Sequence, residues 1–142
     1  MSLPVVELGG ERPLAPRVDE FTAHFWSALA DGRLLATRCS ACGHLSFPPK
    51  RLCPRCRNRS TVWAELAGGG VLYSLTRIHA APKTFAHDIP YSVAVIDLDE
   101  GVRLVTRMLG SVAFDDLGKP VEMVVARFSD GPLFVARLTD HD

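Results

Sequence analysis

Cysteine is absent from most of the chain. All four cysteines lie between Cys39 and Cys56, so no thiol elsewhere could act as a nucleophile or form a disulfide. No apolar run approaches the roughly 18 residues that a membrane-spanning helix needs. The N-terminus lacks a charged region followed by an apolar core, so we expect no signal peptide. These absences favour a cytoplasmic protein, in which paired cysteines more often hold a metal than form disulfides.

Acidic residues are missing from the region around the cysteines. Between Arg33 and Arg59 there are seven basic residues and no acidic ones, whereas the remainder carries nine basic and 16 acidic residues, a balance of −7. Four thiolates on a divalent metal would leave the cysteine segment at about +5. Such a segment is expected to attract anions. The alternative is a solvated charged surface that only keeps a small module soluble.

The sequence also lacks a recognisable catalytic set. It contains neither G-x-x-x-x-G-K nor G-x-G-x-x-G, and Gly68-Gly69-Gly70 is too short and isolated to form a phosphate loop. The histidines are scattered, without the spacing of a metal pair or of a Ser-His-Asp triad: His24, His44, His79, His87 and His141. An acid–base role for His79 and His87 stays open as an alternative. We assign no catalytic residues from the sequence.

The cysteines form two C-x-x-C pairs with ten residues between them, Cys39 and Cys42 followed by Cys53 and Cys56. Each pair can present two sulfurs from one tight turn, and a short hairpin brings the turns together around one ion. Gly43 follows the first pair, where a positive φ costs glycine nothing. At the second pair Arg57 takes that place, and the next residue, Asn58, tolerates a left-handed conformation.

Four cysteines complete the shell of a zinc ion, so the sequence predicts a structural zinc with no open position for water or substrate. A rubredoxin-like iron site is the rival. A thioredoxin-like redox pair is disfavoured because no βαβ pattern surrounds either C-x-x-C. His44 is interpreted as a surface histidine. Metal binding can stabilise a module that is too small to fold by burying apolar surface alone.

The chain divides into an extended arm (1–17), an N-terminal helix with the zinc ribbon (18–60) and a barrel (61–142). A helix is predicted from Val18, with Asp19 as its cap and Asp31-Gly32 at its end. Its apolar stripe contains Phe21, Phe25, Ala28 and Leu29, and Trp26 lies off that stripe. Five strands rich in valine, leucine and aromatic residues follow, at 71–79, 91–99, 102–109, 121–128 and 133–138. They predict a mainly β protein with a small, closed, five-stranded barrel of the OB type, and another kind of five-stranded barrel is the alternative because both share this spacing.

The helix ending in "FWSALADGRLLATRCSACGHLSFPPKRLCPRC", followed by a barrel containing "PYSVAVIDLDEGVRL", resembles a bacterial and archaeal family. That family combines a rubredoxin-like zinc ribbon with an OB fold; it is catalogued as domain of unknown function thirty-five and called acyl-CoA-associated. The resemblance covers roughly residues 18–138. Lys50 departs from the arginine that is frequent after the two prolines, which changes any bidentate contact there.

The resemblance implies a non-catalytic partner of a thiolase-superfamily enzyme that helps to hold the pantetheine arm of an acyl-CoA. Such a protein would be part of a hetero-oligomer. Placement and charge suggest ligand contacts at Lys50, Arg51, Arg77, Lys83, Phe85 and Tyr91. Phe25 and Trp26 would then lie at the partner interface. Two alternatives are a single-stranded nucleic-acid-binding module and a stand-alone enzyme such as a thioesterase.

Overall fold

The computed structural model describes residues 2–80 and 90–139. Within them the chain forms one α-helix, α1 (Thr22–Ala30), a short 3₁₀ helix (Phe114–Asp116) and nine strands: β1 (Val5–Glu7), β2 (Leu34–Cys39), β3 (Leu45–Ser46), β4 (Thr61–Leu66), β5 (Gly69–Ile78), β6 (Tyr91–Leu98), β7 (Arg103–Arg107), β8 (Pro120–Phe128) and β9 (Gly131–Leu138). No helix in these two ranges has the length and apolar character that crossing a membrane requires.

Local capping determines both ends of α1. The Asp19 carboxylate accepts hydrogen bonds from the backbone N–H and the hydroxyl of Thr22, at 2.7 and 3.0 Å. At the other end Gly32 has a φ of +84°, a conformation that glycine adopts without a Cβ clash. The N–H groups of Gly32 and Arg33 donate to the carbonyls of Leu29 and Ala28, which is the Schellman arrangement. The predicted cap and the predicted end are both present.

The first sheet is the three-stranded sheet of the ribbon, in the order β3-β2-β4. All its neighbours are antiparallel, with Thr37 opposite Ser46 on one side and opposite Trp63 on the other. β4 was not expected from the sequence. Thr61, Trp63 and Ala64 are partly buried, Val62 and Glu65 are exposed, and Leu66 at the end of the strand is buried. The Trp63 ring contacts the His24 ring of α1.

The five predicted barrel strands are present as β5 to β9, in a sheet ordered β1-β8-β5-β6-β7 with β9 on the other side of β8. The expectation of a closed barrel is wrong. Among the described residues, the last strands β7 and β9 form no continuous ladder, and an isolated bridge joins Met108, just after β7, to Ala136. β7 is short, and its outer edge stays open next to β9.

The N-terminal segment forms part of this sheet. β5 pairs with residues 120–122 of β8. Farther along β8, β1 pairs with residues 125–127 in the parallel direction. Leu3 is buried, and its N–H donates to Gly32 at the end of α1. Farther along, the Arg12 guanidinium donates to the Asp130 carbonyl at 2.9 Å. The backbone N–H of Arg12 holds the pKa of Asp130 below its usual range. These contacts position residues 8–17 beside the barrel.

One continuous apolar core joins the helix, the ribbon sheet and the barrel. Leu29 of α1, Leu34 of β2 and Ile96 of β6 are fully buried in the same cluster. At the junction the N–H of Ala67 donates to the Glu100 carboxylate at 2.8 Å, which ties the end of β4 to the β6–β7 turn. The ribbon therefore has a defined position on the barrel.

Gly70 provides a test of the close pairing between β5 and β6. A Cβ at this position would collide with the backbone carbonyl of Asp97 on β6, and a strand carbonyl cannot move aside cheaply. We expect Gly70→Ala to lower the free energy of unfolding by about 1–3 kcal/mol, measured by chemical denaturation. Gly9→Ala is the control, because a Cβ there meets nothing within 4 Å. Equal stability of the two variants would contradict the close approach of β5 and β6.

Candidate functional site

The two C-x-x-C turns have nearly the same backbone structure. In the first, the N–H of Gly43 donates to Cys39 O at 2.8 Å; in the second, the N–H of Arg57 donates to Cys53 O at 2.9 Å. Gly43 has a φ of +80° and Arg57 a φ of +69°. The left-handed residue of the second turn is therefore Arg57 itself, whereas the sequence had suggested Asn58. The Asn58 side chain instead accepts a hydrogen bond from the N–H of Ser60.

The four sulfurs lie close enough to bind one ion. Cys39 Sγ is 3.5 Å from Cys56 Sγ, and Cys42 Sγ is 3.6 Å from Cys53 Sγ. All four lie within 4.8 Å of one another. A tetrahedral zinc with bonds of about 2.3 Å separates its sulfurs by about 3.8 Å, so the arrangement fits zinc with small adjustments. Four protein ligands complete the shell, and the metal has a structural role.

The same turns favour the thiolate form of Cys39 and Cys53. The backbone N–H of Cys42 donates to Cys39 Sγ and lowers the pKa of Cys39 to about 6. The N–H of Cys56 donates to Cys53 Sγ and lowers the pKa of Cys53. The N–H of Asn58 lowers the pKa of Cys56, but the neighbouring sulfurs, Cys39 first, outweigh it and raise that pKa to about 12. A divalent cation removes this conflict because it stabilises all four negative charges.

A groove of about 800 Å³ lies where the arm, α1, the ribbon and the open side of the barrel meet. The ribbon contributes Phe47-Pro48-Pro49, and the barrel contributes the second half of β7 and the first half of β9. Three phenylalanine rings meet edge-to-face at its floor, with the Phe47 and Phe134 centroids 5.6 Å apart and both near Phe25. Most of the lining is apolar, as in many small-molecule sites.

Two arginines supply the positive charge of the groove. Arg17 belongs to the arm, and Arg107 is at the end of β7. The Arg107 guanidinium lies 3.9 Å from the centre of the Tyr91 ring, which fixes its direction. The groove thus combines an apolar surface with guanidinium groups that can bind phosphate or carboxylate.

The structure separates the ligand residues suggested from the sequence. Tyr91 lines the groove, and Lys50 is exposed directly after Pro49 of its lining. The Arg51 guanidinium lies 4.7 Å from the Phe21 ring centre, where it joins ribbon to helix. Arg77 donates to Val112 O at 2.9 Å and lines a different cavity, of about 520 Å³. Lys83 and Phe85 lie outside the described residues, as does His87.

The two suggested interface residues differ in exposure. Phe25 is 4% exposed and belongs to the core. Trp26 is partly buried, its ring edge-to-face on Phe25 at 5.0 Å, and both rings line the groove. Sequence reasoning missed Leu14, Arg17, Val105 and Arg107, because no local pattern shows that these distant segments meet.

The role of the zinc can be tested through one ligand. We expect Cys39→Ser to lose bound zinc, measured as metal per chain by mass spectrometry, and to aggregate because the ribbon loses its fold. His44→Ala should keep a full zinc complement, since four sulfurs already complete the shell. A Cys39→Ser protein that stays soluble and folded with the same metal content would contradict the structural zinc.

Two family models match the chain in succession. Residues 26–62 match the model described as "ChsH2, rubredoxin-like zinc ribbon domain". Residues 63–127 match "ChsH2, C-terminal OB-fold domain". The predicted zinc ribbon and the predicted OB fold are confirmed. The two matched regions meet within β4, between Val62 and Trp63.

Curated relatives share these domains. A DUF35 domain-containing scaffold protein of Methanocaldococcus jannaschii is 37% identical over 100 residues, 68% of this chain and 70% of that protein. The benzoylsuccinyl-CoA thiolase subunit BbsA of Thauera aromatica is 32% identical over 121 residues, 81% of each chain. A probable enoyl-CoA hydratase alpha subunit of Thermomonospora curvata is 38% identical over 108 residues, 75% of this chain but only 33% of that longer protein.

A solved structure supports the same family assignment. The structure titled "Ltp2-ChsH2(DUF35) aldolase" contains a chain that is 34% identical to this one, with a TM-score of 0.76. The match covers 89% of this chain and 100% of that chain. The paired C-x-x-C turns, the open OB-type sheet and these matches agree: the chain belongs to the DUF35 family, with a ChsH2-type zinc ribbon and OB fold.

Proposed function

We propose that this chain is a non-catalytic accessory subunit of a thiolase-superfamily enzyme and helps to bind the coenzyme A part of its acyl-CoA substrate. The observation that carries the proposal is the groove of about 800 Å³ between ribbon, helix and barrel. Its size is within the range of small-molecule sites, about 300–1,000 Å³. In this proposal the chain supplies binding surface and positive charge, and the partner supplies the reacting groups.

The chemistry of the groove suits coenzyme A. The pantetheine arm is long and partly apolar, and the floor of Phe25, Phe47 and Phe134 offers it apolar contact. The phosphates of coenzyme A are strong acceptors for guanidinium groups, which Arg17 and Arg107 provide. Lys50 can add charge at the rim, because it follows Pro49 of the lining. We leave Arg51 and Arg77 out of the ligand set, since neither residue lines this groove.

The names of the relatives support the role of a partner. BbsA is named as a subunit of a thiolase, and the matched solved chain is part of a structure titled as an aldolase. Each is similar to this chain over at least 81% of its own length. A chain of this size with the same two domains can take the corresponding place beside an enzyme of that kind. Its reduced cysteines fit an assembly in the cytoplasm.

The alternative function, binding of single-stranded nucleic acid, would use the exposed surface of the ribbon. Arg55, Arg57 and Arg59 are exposed, and their positive charge could also contact a nucleic acid. A single-strand binder needs a basic groove that follows the nucleic-acid backbone. The groove described here is lined mainly by aliphatic and aromatic residues with two arginines, which favours coenzyme A instead.

The partner can be tested by purification. We expect the tagged chain, isolated from cells that contain its natural partners, to recover a thiolase-superfamily enzyme in stoichiometric amount. Light scattering then gives the composition of the complex, and titration shows whether it binds coenzyme A. Recovery of nucleic acid without any acyl-CoA enzyme, together with salt-sensitive binding to single-stranded DNA, would overturn the proposal and favour the nucleic-acid module.

The groove can be tested with two matched variants of the arm. Leu14 is 63% exposed and lines the groove, whereas Val18 is 55% exposed and does not. Leu14→Asp places a negative charge where the phosphates and the apolar arm should bind, so we expect it to weaken coenzyme A binding by the complex about tenfold or more. Val18→Asp should bind like the wild type in calorimetry. Equal affinities would remove the groove from the binding site.

A further inference from the structure

The outer edge of β7 forms part of the groove wall, and within the described part of the chain no strand pairs with the peptide groups of its Val105. β7 is the last strand in the sheet order, paired with β6 on one side only. The N–H of Met108 donates to Ser92 O, and the N–H of Leu98 donates to Val102 O. Since hydrogen-bonded pairs alternate along an antiparallel ladder, the pair Val95–Val105 is a non-bonded one. The N–H and C=O of Val105 therefore point away from β6, towards the groove.

β9 faces this edge without completing a ladder. The N–H of Leu109 donates to Ala136 O at 2.7 Å, and the Thr106 hydroxyl donates to Phe134 O at 3.3 Å. Beyond these contacts, no strand among residues 2–80 and 90–139 pairs with Val105 on its open side. An edge of this kind accepts an extended chain that offers amide donors and acceptors.

Three properties of the edge limit what can occupy it. The occupant must offer amide groups to the N–H and C=O of Val105. It must be slim and partly apolar, because Met108, Leu133 and Phe134 lie alongside. It should also carry negative charge near Arg107, which is two residues farther along β7, about 7 Å away. The pantetheine arm of coenzyme A has two secondary amides separated by methylenes and ends at a diphosphate, and so it meets all three conditions.

We infer that the open edge of β7 at Val105 binds the pantetheine arm as an added strand would bind, with amide–peptide hydrogen bonds, and that Arg107 receives the diphosphate. The inference rests on the proposed function and adds the mode of recognition. Charge favours this occupant over a peptide strand of the partner, since the described groove lining contains two arginines and no carboxylate.

Val105→Pro tests the inference directly. Proline removes the outward N–H but no ladder bond, and sheets tolerate proline at an edge position of this kind. In the purified complex with the enzyme partner, we expect Val105→Pro to weaken coenzyme A binding about tenfold. Val105→Thr keeps both the N–H and the β-branched shape, and should bind like the wild type. Unchanged zinc content and partner recovery would show that each variant is folded.

The choice of probe separates the two ends of the ligand. The loss in Val105→Pro should appear with pantetheine 4′-phosphate, whereas adenosine 3′,5′-bisphosphate should bind both variants equally. Equal coenzyme A affinity of Val105→Pro and Val105→Thr would overturn the inference and leave the proposed function intact. A complex that forms but binds no coenzyme A would instead refute the ligand part of the proposed function.

Hydrogen exchange provides a measurement that needs no variant. We expect the amide of Val105 to exchange more slowly after coenzyme A is added to the complex, and the partner alone to leave it unprotected. Protection by the partner before any coenzyme A is added would assign the edge to a strand of the partner and overturn the inference. Unchanged exchange in a complex saturated with coenzyme A would also overturn it.

Discussion

The bonds between four thiolates and one zinc ion are the constraint on which the rest of the structure depends. They hold the two turns of the ribbon together and thereby fix the hairpin between Cys42 and Cys53. That hairpin presents Phe47-Pro48-Pro49 to α1 and β9, where the three phenylalanine rings meet. Without the metal, nothing would hold the two turns together, and the groove would lose the wall that this hairpin forms.

Features set by neighbouring residues could be predicted from the sequence. The spacing of Cys39, Cys42, Cys53 and Cys56 predicted the zinc ribbon, and Asp19 and Gly32 predicted the ends of α1. The five strands of the OB fold followed from short apolar runs between turns. In each case the physical cause lies within a few residues, so the sequence pattern expresses it directly.

Features that depend on distant contacts could not be predicted. Nothing local shows that β4 pairs with β2, or that β7 and β9 form no continuous ladder within the described residues. The groove is formed by segments that are distant from one another in the sequence, and its charge comes from Arg17 and Arg107, which no motif connects. Charge and placement had suggested Arg51 and Arg77, but neither lines this groove, and their guanidinium groups contact the Phe21 ring and the Val112 carbonyl.

The most direct test of this account is a structure of the complex between this chain and its enzyme partner, determined with coenzyme A bound. The account predicts density for the pantetheine arm in the groove, extended along Val105, with the diphosphate near Arg107 and the thiol directed to the partner. Density for coenzyme A entirely within the partner, with the groove filled by partner side chains, would contradict it.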